Sequence, residues 1–316
     1  MLDYPSMDLP RDESLKFLVS RYAGLLARHG EAFEGVELVT PTAEHFPDEF
    51  ERDADSVLVL LHRMASYAPL DDEMDLEIGF FEPEDVEGGG KSCSSGACAT
   101  PSAKVRVDGV EPTKTGYRIP INVADTGHPT ALTTALARSV GAMVLAEAEE
   151  EFPRADLGAM SEIAAAACGL GPLLLAGSHL YRKGCSGANV QTYTALDVAE
   201  TAVLVALACA VNGWKPKKVA AHLAPTQAEL FDEAVAWVES NQHLVDALKT
   251  TPESLEDGVM ELRPTRSFFG RLFGKKKSAA ADLAAAPSYK KRERTPEEER
   301  RLAEAKALVE EALSEE

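Results

Sequence analysis

The chain predicts an α+β protein, mostly helical, with a small β-sheet, a long buried helical half and a flexible C-terminal tail. Three observations carry this. Alanine-rich apolar runs fill much of residues 129–249. Short alternating segments lie at 75–81, 104–109 and 116–122. Beyond about residue 262 the apolar pattern stops and low-complexity sequence begins. With 316 residues, 45% of them hydrophobic, the chain is long enough to bury a sizeable core.

SLKFLVSRYAGLLARHG (14–30) has the spacing of an amphipathic helix: Leu15, Val19, Tyr22 and Leu26 share a stripe, and Gly30 suits its end. VELVTPTAEHFPDEF (36–50) carries Pro41 and Pro47 and reads as extended or turn-like. DADSVLVLLHRMASYA (53–68) is a second helix. The three alternating segments form a small sheet, with a loop over EPEDVEGGGKSCSSGACATPSA between the first two. Helices follow at 129–149, 156–180 with a kink or break at Gly171-Pro172, 194–212, 226–249, and a short one near 215–222. In the final TPEEERRLAEAKALVEEALSEE, Thr295 is the N-cap, Pro296 opens the helix and Glu298 closes a capping box. The organisation is a folded body over 1–262, a basic linker over 263–294 and an amphipathic helix over 295–316.

The formal net charge is −20 and is unevenly spread. Residues 263–294 hold ten Lys/Arg against Asp282 and Glu293, and the body carries −23. Such a body excludes non-specific nucleic-acid binding. Five cysteines make no disulfide framework, and the N-terminal sequence has no secretory signal. No apolar run reaches the ~18–20 residues of a membrane span. The expectation is a soluble cytoplasmic protein.

The helix at 129–149 is the informative one. Leu132, Leu136, Val140, Met143 and Val144 face a core, while Arg138 and Ala142 stand four apart on one face. A zinc-peptidase helix needs His at such a pair, with Glu after the first as general base. Here the string is Arg138-Ser139-Val140-Gly141-Ala142.

Several pieces together resemble a family of small bacterial zincin-like metallopeptidase proteins. They are PTAEHFP (41–47), SVLVLLHRMASYA (56–68), LEIGFF (76–81), SSGAC (94–98), GYRIPINV (116–123) and ALTTALARSVGAMVLAEA (131–148). SEIAAAACGLGPLLLAGSHLY (161–181), TALDVAETAVLVALACAVNGW (194–214) and AHLAPTQAELFDEAVAWV (221–238) continue the likeness, which covers roughly residues 36–240. The resemblance implies a zincin-like core. It sets Arg138 and Ala142 where that family has its two His ligands, Ser139 where it has the catalytic Glu, and Glu162 at the acidic ligand. Arg stays protonated and cannot ligate a cation, and Ala offers no donor atom. Ser cannot replace a carboxylate base, and Glu162 alone leaves too few ligands for zinc. The resemblance therefore implies an inactive relative with no metal and no other cofactor. Two placements of Arg138 are open: paired with Glu162 in place of the metal, or pointing to solvent.

GGGKS (88–92) lacks the earlier Gly of a phosphate loop, because position 85 is Asp. Cys93 and Cys98 are the one closely spaced cysteine pair. The plain reading is a pair of free loop thiols, the alternatives a redox switch or part of a rebuilt metal site. Cys168 and Cys209 belong to packing, and Cys185 to a loop. His128 reads as the lead-in to a helix and His179 as a satisfied buried imidazole. In RSFFGRLFGKKK (266–277), Phe268, Phe269, Leu272 and Phe273 share one helical face, flanked by Arg266, Arg271, Lys275, Lys276 and Lys277. Such a patch docks in a partner protein's groove, lies on an anionic membrane surface, or folds back on the acidic body. The plain reading is a linker with incidental aromatics.

The expected function is an inactive metallopeptidase-like scaffold that binds another protein, with the tail as docking element. Its competitors are an enzyme with a rebuilt site using Glu162, His128 or His179 and the Cys93/Cys98 loop, and a peripheral membrane adaptor acting through 266–277.

Overall fold

The first helix, α1 (Asp12–His29), buries Leu15, Leu18, Val19, Tyr22, Ala23 and Leu25. Three of the four expected stripe residues are therefore inside, while Leu26 is only partly buried. Gly30 does not end the helix in a left-handed turn. At φ −54° it leads into a 3-10 turn, Gly30–Phe33, and the left-handed residue is Gly35 at φ 76°. The computed structural model describes residues 9–82, 110–184 and 187–265, leaving aside the side chains of 182–189.

Helix α2 (Ala54–Ala65) starts where Asp53 accepts a hydrogen bond from the Ser56 N–H at 2.8 Å. Strand β1 (Asp75–Phe81) pairs in parallel with β3 (Gly116–Asn122), matching Leu76 with Tyr117, Ile78 with Ile119 and Phe80 with Ile121. Tyr117, Ile119 and Ile121 alternate into the core, as period-2 patterning requires. A two-residue strand, β2 (Glu111–Pro112), lies antiparallel on the far side of β3. The expected strand at 104–109 falls outside the described residues.

A single turn, α3 (Val123–Thr126), leads to α4 (Pro129–Glu147), with His128 as N-cap and Pro129 in the first turn. Helix α4 crosses α5 (Leu157–Ala167) very closely, because Gly141 has no side chain. A Cβ there would stand 1.9 Å from the Ser161 carbonyl oxygen. The helix expected over 156–180 does divide, and the break falls at 168–170, just before Gly171-Pro172. Gly169 turns the chain at φ +81°, where a Cβ would meet the Glu37 carbonyl, and its own carbonyl accepts the Val39 N–H at 3.0 Å. Gly171 and Pro172 then open α6 (Gly171–Gly177), where proline's missing donor costs nothing.

An antiparallel hairpin follows, β4 (Leu180–Gly184) and β5 (Gly187–Gln191). Helix α7 (Val198–Asn212) begins with a capping box between Asp197 and Glu200, four residues after the expected start, and buries nearly its whole surface. After α8 (Pro216–Ala220) the expected helix over 226–249 also divides, into α9 (Pro225–Ser240) and α10 (Gln242–Thr250). The cause is Asn241. Its side-chain amide donates to the carbonyls of Trp237 and Arg263, both at 2.9 Å, and its oxygen accepts the Arg263 N–H at 2.7 Å. Packing thus extends one residue past the expected end of the body, to Arg263. Between these helices the core is built from small residues: Ala164, Ala165, Ala166 and Ala167 are fully buried.

Candidate buried ion-pair site

The close crossing of α4 and α5 decides which side chains meet. Gly141 lies against Ser161, so Arg138, one turn earlier on α4, approaches Glu162, the next residue on α5. Arg138 Nε lies 2.8 Å from Glu162 Oε1, with side-chain exposures of 14% and 0%. Nε itself makes no aligned hydrogen bond among the described residues, so at this atom the contact is an ion pair. Glu162 has further donors. The Ala195 N–H donates to Oε1 at 2.5 Å and the Leu196 N–H to Oε2 at 3.0 Å. A fully buried carboxylate is tolerated only with such compensation, which here includes one cation and two backbone donors.

The backbone donors come from the turn before α7. Thr194, 1% exposed, holds that turn by donating its hydroxyl to the Leu196 carbonyl at 2.7 Å. Tyr193 N–H donates to the Gly177 carbonyl at 3.0 Å, tying the same turn to the end of α6.

Of the four residues singled out on the sequence, the structure brings Arg138 and Glu162 into contact. Ser139 is half-buried, and its hydroxyl donates to the Ala135 carbonyl of its own helix at 3.1 Å. Ala142 is 6% exposed, one turn on from Arg138. Arg138 is mostly buried and does not point to solvent. Ala195 and Leu196 were missed, since they contribute only backbone and no residue type marks that role.

His128 and His179 stand differently from Glu162's partners. His128 caps α4 ten residues before Arg138, about 15 Å along the helix. The His179 ring packs edge-on against Tyr181 with centroids 5.0 Å apart. Among the described residues its buried Nε2 has no hydrogen-bond partner, which differs from the reading of a satisfied imidazole; burial lowers its pKa and favours the neutral ring. Among the described residues no three His, Cys, Asp or Glu side chains are grouped to hold a metal ion. Cys168 and Cys209 are buried in the core, and burial pushes the Cys209 thiol up to about 12. Cys93, Cys98, Cys185, the GGGKS run and the tail from Arg266 onward, with Phe268, Phe269, Arg271, Leu272, Phe273 and Lys275–Lys277, lie outside the described residues.

Among the described residues no helix is long and apolar enough to cross a membrane. No family model, no curated protein and no solved structure matches this chain.

Proposed function

We propose that the protein is a non-catalytic binding module of metallopeptidase-like descent, in which the Arg138–Glu162 pair stands where a zincin holds its metal. The observation that carries this reading is the engagement of Glu162. Its carboxylate faces a fixed cation from α4 and two backbone N–H groups from the turn before α7. A carboxylate so engaged has little capacity left for a metal, and neither Arg138 nor Ala142 is able to supply a ligand. Ser139 spends its hydroxyl on its own helix and offers no general base.

The module's partner is another protein. The acidic body repels nucleic acid and anionic membrane alike, whereas the basic, Phe-bearing segment 266–277 has the composition of a groove-docking peptide. The test is an affinity pull-down from native lysate, comparing the full chain with one ending after Thr265. That cut spares Arg263, which Asn241 clasps. A partner recovered only with the full chain supports docking by the tail. Recovery with both assigns the binding to the body, and proteolytic turnover of peptides by the purified chain overturns the non-catalytic reading.

A further inference from the structure

Strand β1 (Asp75–Phe81) lies at one edge of the three-stranded sheet, with β3 on its inner side. The Asp75 N–H donates to the Thr115 carbonyl at 3.2 Å, so Asp75, Glu77, Gly79 and Phe81 turn their backbone groups toward β3. Leu76, Ile78 and Phe80 turn theirs outward, and among the described residues no strand pairs with them. Their side chains share one face of the sheet with Tyr117, Ile119 and Ile121, but the cover thins along β1. Leu76, which lines a small cleft with Ala65 of α2, is 8% exposed, and Ile78 is half-buried. Phe80 is 42% exposed, although Ile121, beside it in register, is 1% exposed. An open edge of this length is normally blunted by Lys, Pro or a bulge, and DLEIGFF has neither Lys nor Pro.

We infer that β1 is the seam of a homodimer, in which the strands of two copies pair antiparallel about a two-fold axis at Ile78. In that register Ile78 faces Ile78 and Leu76 faces Phe80, so every outward N–H and C=O of these residues finds a partner. The apolar side chains form one row across the axis and cover Phe80. The acidic residues select the register. Asp75 falls opposite Phe81 and Glu77 opposite Gly79, and Glu77 already holds Arg118 at 2.8 Å. A slip of two residues one way sets Glu77 against Glu77, and a slip the other way sets Leu76 against Glu82. A second copy is the occupant this edge fits, because the strand is complementary to itself. The dimer does not depend on the function proposed above.

Sedimentation of the full-length chain over a dilution series tests this together with amide exchange, in about 0.3 M salt to screen the acidic bodies from each other. The chain is expected to reach twice the monomer mass at high concentration and to dissociate on dilution. In the dimer the Leu76, Ile78 and Phe80 amides are protected, and dilution raises their exchange about tenfold or more. The Glu77 and Gly79 amides, turned toward β3, stay protected at every concentration. Phe80→Lys weakens dimerisation about tenfold or more, whereas Val259→Lys, at an apolar residue outside the strand that is 78% exposed, leaves it unchanged. Should Phe80→Lys not fold, Ile78→Cys decides. On mild oxidation it links position 78 to position 78, because residues paired in this way stand about 5.5 Å apart at Cα. A chain still monomeric at about 1 mM overturns the seam, as does a dimer whose Leu76, Ile78 and Phe80 amides exchange freely. Protection of those amides only on adding another protein also overturns it, and gives the edge to a different partner.

Discussion

Replacing Arg138 by Met removes the cation and keeps most of the stem. Glu162 is then a carboxylate at 0% exposure whose guanidinium partner has gone, with the Ala195 and Leu196 N–H groups still in reach. Breaking one side of a buried pair costs about 3–5 kcal/mol, far more than the same change at the surface. Against a typical total of about 5–15 kcal/mol this is a large share of the stability. At about 2–4 °C per kcal/mol for a domain of this size, the midpoint falls by roughly 6–20 °C. The assay is urea unfolding by circular dichroism at pH 7, with the cycle Arg138→Met, Glu162→Gln and the double variant. The double variant is predicted to lose less than the sum of the two singles, by about 1–3 kcal/mol, because the neutral amide no longer needs the cation. A loss for Arg138→Met within about 0.5 kcal/mol of zero would refute the reasoning, since that is the behaviour of a surface side chain.

Three further outcomes follow from the same geometry. Gln227→Leu leaves the last carbonyls of α6 without their donor and costs about 2–3 kcal/mol in urea unfolding. Burial alone would raise the Glu150 carboxyl, but the donors on Arg28 and His29 outweigh it and hold it below its ordinary value. The stability it adds is therefore complete above the unfolded carboxyl pKa and is lost as pH falls through the lower folded value, so Glu150→Gln flattens the acid side of the stability–pH curve below about pH 4.5. Arg138→His combined with Ala142→His places two imidazoles one turn apart beside Glu162 and yields about one zinc per chain after dialysis, read by mass spectrometry of the metal.

Much of the fold was legible in the sequence because periodicity reports burial directly. Helices α1, α2 and α4 and strands β1 and β3 fall within a few residues of their expected spans. The errors share a physical cause. The break between α5 and α6 was legible at Gly171-Pro172, and only its exact place, set by Gly169 against the Glu37 carbonyl, was not. Asn241 breaks a helix through a distant contact with Arg263 that leaves no mark in the local pattern. The β4–β5 hairpin was missed because LYRKG and GANVQ lack clear alternation, and the apolar run before them read as helical up to residue 180. At the candidate site, the residue types of Arg138, Ser139, Ala142 and Glu162 were readable. The close crossing at Gly141 and the two backbone donors to Glu162 were not, since both depend on how the helices pack.

The most direct test of the central claim is the zinc and iron content of the full-length chain, purified without chelator from metal-supplemented cells and measured after gel filtration. An ion pair standing in for a metal predicts far less than one equivalent of either, and an unfolding midpoint unchanged by EDTA. One equivalent of metal retained through purification, with a midpoint that EDTA lowers, would contradict it.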